Sequence, residues 1–182
     1  MSSHDQQPDP DSFPRRYART QRFSLGVPRN ISVSADGDRV VYLRSSGGED
    51  PVNRLWVLDR STASTGTEPR LIVDPNALAQ NDDADLPAAE RARRERLRES
   101  AAGVVSYSVD SGFATAAFAL AGTLLVADLD SGDVRSLDTG PAVFGPRIDP
   151  TGRLVAYVSG NHLRLINPVS YTHLTLPTIC SV

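Results

Sequence analysis

Short apolar runs separated by glycine-containing turns recur along most of the chain and predict β-strands. Ile31–Ser34 is followed by the turn Ala35–Asp38 and then by the apolar run Val40–Leu43. Asp-Gly, Ser-Gly and Thr-Gly pairs at such turns are typical of antiparallel meanders, because glycine adopts the positive-φ position of a tight turn at little cost. The same order of strand, turn and strand starts again near Val105 and near Pro146. The pattern therefore predicts an all-β chain built from a repeated unit.

The spacing of the turns indicates the kind of repeat. Gly112 and Gly152 are about 40 residues apart, a period typical of propeller blades, which are four-stranded sheets arranged around an axis. The distance from Gly37 to Gly112 is nearly twice as long, because the segment from Pro75 to Ala102 is inserted between two units. A single blade cannot bury both of its faces, so neighbouring blades must stack. We predict a partial β-propeller, about three blades of an incomplete ring, with one inserted charged α-helix.

The predicted helix lies near residues 85–102 and has almost no apolar face. Its centre, Glu90–Glu99, contains only arginine, glutamate, one alanine and one leucine. Asp85 and Pro87 favour a helix start, and Gly103 suits the C-terminal cap. Its i,i+4 ion pairs contribute a few tenths of a kcal/mol each, which is too little to hold an isolated helix of this length. Composition alone favours a solvated surface helix.

The chain divides into three parts. Residues 1–20 are expected to be disordered or extended, because the first eleven residues are rich in Gln, Asp, Ser and Pro. Residues 21–168 form the partial propeller domain. Residues 169–182 resemble the translation of a transposase adapter used for sequencing libraries, with Val169–Thr178 matching the fixed part of that adapter. The authentic sequence is therefore expected to end near Pro168, within a longer reading frame.

Composition excludes several classes of partner. The chain has 182 residues and a formal net charge of −3, and such a balance argues against a nucleic-acid partner. Outside the adapter-like segment, the longest uncharged run, Phe113–Ala127, is shorter than a membrane-spanning helix requires. The start of the chain lacks the apolar region of a secretory signal. We expect a cytoplasmic protein with neither a nucleic-acid nor a membrane partner.

No residue of the chain is predicted to be catalytic or to bind a metal or cofactor. The sequence lacks the Gly-x-Ser-x-Gly elbow of a hydrolase, a Gly-rich phosphate loop and a metal-ligand cluster. The only cysteine, Cys180, lies in the adapter-like tail, which excludes disulfides and thiolate metal sites from the remainder. Other conspicuous residues have structural interpretations: His162 as a surface residue, Trp56 as core packing of a strand, and Asp36, Asp110, Asp130 and Asp149 as turn formers.

The order of charged helix, glycine, short strand with a tyrosine, and Ser-Gly turn resembles one particular insertion. It is similar to the arginine-bearing insertion in the N-terminal propeller of dipeptidyl peptidase IV-like members of the prolyl oligopeptidase family. Arg94-Glu95-Arg96 coincides with the Arg-Glu-Arg core of that family, and Val105-Ser106-Tyr107 follows at the family's position. Phe13–Tyr17 followed by Phe23–Gly26 also resembles the family's opening. The resemblance covers the chain from Phe13 to Ile166.

This resemblance implies a function for the full-length protein. It implies a serine exopeptidase that releases N-terminal dipeptides with proline or alanine in second position, and therefore a peptide substrate. A helix arginine would contact that substrate, since a guanidinium donates two parallel hydrogen bonds to a carbonyl or carboxylate. The candidates are Arg94 and Arg96, followed by Arg93 and Arg98. The resemblance leaves a homodimeric parent open.

The same family places its catalysis elsewhere. Its Ser-Asp-His triad lies in a C-terminal α/β-hydrolase domain, and a pair of glutamates in a later blade binds the free N-terminus of the substrate. This chain contains neither group, so the fragment alone is expected to be inactive. The alternative interpretation is a non-enzymatic propeller of the TolB or WD-repeat kind, which acts as a scaffold that binds a protein or another ligand.

Overall fold

The computed structural model describes residues 12–60, 68–79, 103–140, 142–169 and 173–175. The strands in these ranges form three four-stranded antiparallel sheets. In each sheet the strands follow one another in chain order, which is the meander expected of a propeller blade. The predicted all-β partial propeller of about three blades is confirmed.

Each blade runs through four strands. Blade 1 consists of β1 (Arg29–Val33), β2 (Arg39–Arg44), β3 (Arg54–Asp59) and β4 (Arg70–Val73). Blade 2 consists of β5 (Tyr107–Val109), β6 (Thr115–Leu120), β7 (Thr123–Asp128) and β8 (Val134–Leu137). Blade 3 consists of β9 (Phe144–Ile148), β10 (Val155–Ser159), β11 (His162–Ile166) and β12 (His173–Thr175). Two helices complete the described fold, α1 (Phe13–Arg19) and α2 (Pro75–Ala79).

Strand alternation gives blade 2 two apolar faces, and each face packs on a neighbouring blade. On one side, Phe118 and Ala127 lie in a buried core with Leu55 and Val57 of blade 1. Successive side chains of a strand point to opposite faces, so β7 also presents Leu124 and Val126 to the other side. Those two residues share a second buried core with residues of blade 3, among them Val155, Tyr157 and Ile166. The central blade is therefore apolar on both faces, as stacked blades require.

The N-terminal segment differs from the sequence-based expectation in its described part. Residues 1–20 were expected to be disordered or extended, but Phe13–Arg19 forms the helix α1. Pro14 stands at the start of this helix, where its missing N–H costs nothing. The rings of Phe13 and Tyr17 stack with centroids 5.8 Å apart, and Phe23 packs on the edge of Tyr17 at 5.9 Å. This aromatic contact provides a packing partner for the helix, which composition alone did not indicate.

The last strand comes from the segment that was excluded from the predicted fold. His173–Thr175 pairs with β11 in an antiparallel register that places Leu174 opposite Leu165. The pairing satisfies backbone groups that β11 would otherwise expose at an edge. The likeness of residues 169–182 to an adapter remains a prediction, and β12 is the only part of that segment beyond Val169 that the structure describes.

A charged contact joins blade 1 to blade 2 at one end of the sheets. The guanidinium of Arg39 donates from Nε to Asp59 Oδ1 at 2.6 Å and from Nη1 to the Phe113 carbonyl at 2.9 Å. Its Nη2 lies 2.7 Å from Asp130 Oδ1 in the turn after β7. Burial alone would lower the pKa of Arg39, but the hydrogen bonds with the two aspartates raise it. Asp130 thus has a role that differs from the predicted turn former: Asp128 Oδ1 accepts the turn's N–H groups.

We expect Arg39→Met to destabilise the chain by about 2 kcal/mol, because it removes charge-assisted hydrogen bonds and takes one guanidinium partner from each of Asp59 and Asp130. Urea denaturation measures the change as a lower midpoint. Arg153→Met, at an exposed arginine of blade 3, is the matched control and should change stability by less than about 0.5 kcal/mol. Equal midpoints for the two variants would show that the contact between the blades contributes no stability.

Candidate functional site: the root of the charged insertion

The four arginines predicted to contact substrate, Arg93, Arg94, Arg96 and Arg98, lie outside the described residues, as does the predicted helix near residues 85–102. The structure does describe both ends of the insertion that carries them. The chain leaves blade 1 through Asp74 and α2, and it returns at Gly103 before β5. These two ends, with the residues that hold them, form the candidate site. We call this group the insertion root, and it consists of Asp50, Asn53, Arg54, Asp74 and Gly103.

Arg54 is the centre of the insertion root. It begins β3 and is only 8% exposed. Its Nη1 donates to Asp50 Oδ2 at 2.5 Å and to the Val52 carbonyl at 3.1 Å, and its Nε lies 3.2 Å from Asp74 Oδ2. A buried guanidinium with two carboxylate partners is costly to unpair, because the remaining charges would be left in a poorly solvated place. The pairing thus fixes the departing end of the insertion to the start of β3.

Electrostatics around Arg54 agree with this geometry. Desolvation alone would raise the pKa of Asp50, but hydrogen bonds from Ser46, from the backbone N–H of Val52 and from Arg54 hold that pKa far below its ordinary value. Desolvation alone would likewise lower the pKa of Arg54, but the hydrogen bonds with Asp50 and Asp74 raise that pKa above its ordinary value. Both partners therefore keep their charges over a wider pH range in the folded chain than in water.

Asp74 holds the insertion in a second way. Its Oδ1 accepts the N–H of Asn76 at 3.0 Å, and its carbonyl accepts the N–H of Ala77 at 3.1 Å. An aspartate in this position caps the first turn of a helix, here α2. One carboxylate therefore caps the helix through Oδ1 and pairs with Arg54 through Oδ2. The direction in which the chain leaves blade 1 is fixed by both contacts.

The returning end is held by backbone contact. Gly103 forms a parallel bridge with Asn53, and the Val104 N–H donates to the Asn53 carbonyl at 3.0 Å. Gly103 has φ +65°, and a Cβ at this position would lie 2.8 Å from Asn53 N and closer still to Asn53 O. The sequence analysis interpreted Gly103 as a helix cap, a role that depends on a helix outside the described residues. The structure gives a reason that is independent of the helix: only glycine fits against Asn53.

The tyrosine that follows the insertion also connects the two blades. The Tyr107 hydroxyl lies 2.7 Å from the Val41 carbonyl and 2.5 Å from the Asn30 carbonyl, both in blade 1. Asn30 Nδ2 in turn donates to the Val105 carbonyl at 3.1 Å. The segment Val105-Ser106-Tyr107, which carries part of the family resemblance, is therefore fixed to blade 1 directly after the insertion returns.

A small cavity of about 80 Å³ lies beside the returning end. Gly103, Val105, Ser106, Ala121 and Phe144 contribute to its lining, which brings together the segments before β5 and β9 and the turn between β6 and β7. None of the described residues that line it is ionisable, and Ser106 contributes the one side-chain hydroxyl among them.

The residues that were predicted to be turn formers or surface residues have structural roles in the described chain. Asp110 and Asp149 accept backbone N–H groups of their own turns, for example from Thr115 at 2.7 Å and from Leu154 at 2.8 Å, so their interpretation as turn formers is confirmed. Asp36 does the same for the N–H of Asp38. His162 is exposed at the start of β11, as predicted. Within the described ranges, no group of three or more His, Cys, Asp or Glu residues could hold a metal ion.

Trp56 is only partly the core residue that was predicted. It is half-buried, on the opposite face of β3 from the buried Leu55 and Val57. Its indole N–H donates to the Arg44 carbonyl at 3.0 Å, and the Arg44 guanidinium lies 4.9 Å from the ring centroid. Such a cation–π contact covers the ring without enclosing it.

Sequence reasoning did not identify Asp50, Asn53, Arg54 or Asp74. A signal was present: Asp50 and Arg54 are four residues apart, and Asp74 directly follows an apolar strand. Charged residues beside strands are usually solvated, so only the observed burial of Arg54 distinguishes this cluster from a surface group.

No protein-family model and no curated protein matches the chain. Solved structures do match. A protein assigned as TolB from Agrobacterium tumefaciens is 14% identical, with a TM-score of 0.52 over 85% of this chain and 48% of that chain. TolB from Acinetobacter baumannii is 14% identical, with a TM-score of 0.50 over 85% of this chain and 33% of that chain.

The tricorn protease is also similar, at 13% identity and a TM-score of 0.52 over 83% of this chain and 13% of that chain. This chain therefore spans less than half the length of each of these structures. They are β-propeller proteins, and at this level of identity the likeness shows the fold alone. Neither described helix is long and apolar enough to cross a membrane.

Proposed function

We propose that this chain is the N-terminal propeller part of a cytoplasmic serine exopeptidase that releases dipeptides from peptide substrates with proline or alanine in second position. In this proposal the propeller supplies a surface that restricts access of substrate and one arginine that contacts it. The reacting groups lie in an α/β-hydrolase domain further along the reading frame. The proposal rests on the sequence resemblance of the insertion and of the strand that follows it.

The structural observation that supports the proposal is the insertion root. An arginine-rich segment that was only a solvated loop would need no particular anchorage. Here its departing end is tied to a buried arginine with two carboxylate partners, and its returning end occupies a place that only glycine fits. Rigid attachment is what a substrate-contacting group requires, because small displacements of such a group cost much of its contribution.

The uninterrupted gene sequence tests the proposal first. A Gly-x-Ser-x-Gly motif some hundreds of residues downstream, followed by aspartate and histidine in that order, would support the peptidase. A stop after six to eight blades without such a motif would refute it and support the TolB-like scaffold. Genomic DNA amplified across Pro168 provides this sequence, and it also shows whether the codons for residues 169–182 belong to the gene.

Activity provides the second test. The full-length protein should hydrolyse a Gly-Pro chromogenic amide, and the present chain should not, because it contains no assembled nucleophile, base and oxyanion site. Both proteins are purified and assayed side by side. Turnover that stays with the 182-residue chain through purification would refute the assignment of catalysis to a downstream domain.

In the full-length enzyme, alanine at the contacting arginine should lower kcat/KM by roughly ten- to a hundredfold, because a charge-assisted hydrogen bond of about 1.5–3 kcal/mol is lost. Arg94 and Arg96 are tested first, then Arg93 and Arg98. Alanine at the remaining positions should cost little, since exposed ion pairs contribute less than about 1 kcal/mol. The measurement is kcat/KM for each single variant, with an unchanged melting temperature as the control for folding. Wild-type kcat/KM in all four variants would show that the helix only covers surface.

A further inference from the structure

Blade 2 contains a polar cavity at the end of the sheet opposite the insertion root. Its volume is about 350 Å³, and it is lined by Thr115, Val126, Ala127, Asp128, Asp133 and Arg135. The lining residues come from the start of β6, the end of β7 and the beginning of β8. The insertion root lies before β3, after β4 and before β5. In a meander those two sets of strand ends lie at opposite ends of the blades, so this cavity is separate from the site of the proposed peptidase function.

The strand registers show what occupies the same position in blade 1. Arg39 pairs with Asp59 across β2 and β3, and Thr115 pairs with Asp128 across β6 and β7. The last strand of each blade has an arginine at the same register position: Arg70 lies opposite Val57 in blade 1, and Arg135 lies opposite Val126 in blade 2. Thr115, Asp128 and Arg135 of blade 2 are therefore the counterparts of Arg39, Asp59 and Arg70 of blade 1.

We call the end of each blade where these three residues meet its corner. The corners of blades 1 and 2 differ in one residue that changes their volume and charge. In blade 1 the Arg39 guanidinium occupies the corner, 2.6 Å from the carboxylate of Asp59, and reaches the next blade. In blade 2 the shorter and uncharged Thr115 stands at that position. The carboxylate is kept, as Asp128, but the guanidinium that faces it in blade 1 is missing.

The charges at the blade 2 corner favour a cation. Asp128 and Asp133 bring two negative charges, and Arg135 brings one positive charge. In the part of the chain that the structure describes, Arg135 forms no ion pair, and the Arg70 guanidinium of blade 1, whose charge also acts on Asp128, is shared with Asp59. Asp128 is exposed and therefore ionised at neutral pH, and hydrogen bonds from the backbone N–H groups of Ser131 and Asp130 lower its pKa further.

We propose that this cavity binds the guanidinium group of an arginine side chain carried by a partner polypeptide. Blade 1 shows that a carboxylate at this register position, with the surrounding turns, accepts a planar guanidinium. Arginine suits such a corner better than lysine, because its planar fork donates several hydrogen bonds in fixed directions to a carboxylate and to carbonyls. The proposal concerns a different end of the blades from the peptidase proposal and does not depend on it.

The probe is N-acetyl-L-argininamide, and N-acetyl-L-citrullinamide is its neutral isosteric control. Binding is measured on the full 182-residue chain by NMR titration and by calorimetry at low salt. We expect a Kd on the order of 1 mM for the single arginine, and at least tenfold weaker binding of the citrulline compound. Asp128→Asn keeps an oxygen that can accept the turn N–H groups but removes the charge, and it should weaken arginine binding at least tenfold.

Thr115→Arg provides the sharpest variant, because it places in blade 2 the residue that blade 1 already has. It should abolish binding of the arginine compound and raise the melting temperature by several degrees. Ser136→Arg is the matched control: it adds an arginine at an exposed position of β8 that does not line the cavity, and it should leave binding unchanged.

Four results would overturn the proposal. They are absence of binding up to 50 mM of the arginine compound, equal binding of the citrulline compound, unchanged affinity in a folded Asp128→Asn variant, and undiminished affinity in Thr115→Arg. If Asp128→Asn does not fold, the comparison of Thr115→Arg with Ser136→Arg decides between the outcomes.

Discussion

Arg54→Met should destabilise the chain by about 3–5 kcal/mol, the cost of breaking a buried ion pair by removing one partner. Asp50 and Asp74 would both lose the guanidinium that now lies 2.5 Å and 3.2 Å from them. Methionine keeps most of the apolar stem of arginine, so the loss reports the charge and its hydrogen bonds and not a cavity. Urea denaturation measures it as a lower midpoint with an unchanged slope.

Arg60→Met is the matched control for this experiment. Arg60 directly follows β3 and is exposed, so its replacement should change stability by less than about 0.5 kcal/mol. Arg54→Lys should lie between the two, because an ammonium keeps the charge but lacks the fork that reaches two carboxylates and a carbonyl. If Arg54→Met and Arg60→Met unfold at the same urea concentration, the insertion root does not hold the departing end of the insertion.

The dependence of the unfolding free energy on pH provides an independent check on the pairing of Arg54 with Asp50. Against the effect of desolvation, hydrogen bonds from Ser46, from the backbone N–H of Val52 and from Arg54 lower the pKa of Asp50 from its ordinary value of 3.8. The share that comes from Arg54 stabilises the folded chain fully above that value and is lost as pH falls toward the lowered pKa. The variant Arg54→Met lacks this share. The difference in unfolding free energy between wild type and variant should therefore be constant near neutral pH and should narrow between about pH 5 and pH 2. A difference that stays constant over that range would exclude Asp50 as the partner.

The fold could be predicted from the sequence because each strand can be recognised from the residues of the strand and its flanking turns. Val40–Leu43 and Leu124–Ala127 are apolar runs bounded by turn residues, and Gly112 and Gly152 repeat at the period of a blade. Both signals arise from contacts within one hairpin. They require no knowledge of which blade packs on which.

The insertion root could not be predicted, because it depends on contacts between segments distant in the chain. Asp74 and Gly103 meet Arg54 and Asn53 only after the sheets have formed. The corner occupied by Arg39 was missed for the same reason, since the sequence does not show that this side chain reaches the turn of the next blade. Substrate contact by an arginine of the insertion was inferred from resemblance, and it stays a prediction.

Gly103→Ala should have an effect of similar size, about 3 kcal/mol or more, for a steric reason. An alanine would have to hold φ +65°, a conformation that costs a residue with a Cβ about 1–2 kcal/mol. Its Cβ would also press on the backbone of Asn53 and lie 2.9 Å from Val52 Cγ1. The backbone cannot yield without weakening the Val104–Asn53 hydrogen bond, and Val104 is fully buried in the core between blades 1 and 2.

Gly140→Ala separates the two contributions to that effect. Gly140 has φ +74°, and a Cβ there would meet nothing within 4 Å, so this variant should lose only the conformational part, about 1 kcal/mol. The excess cost of Gly103→Ala in urea denaturation is then the cost of displacing the returning end of the insertion. In the proposed full-length peptidase, at a temperature where both variants are folded, Gly103→Ala should also lower kcat/KM toward the value of the arginine variants, and Gly140→Ala should not. Equal stability and equal kcat/KM for the two alanine variants would show that the insertion does not need its root and that the root does not support peptide binding.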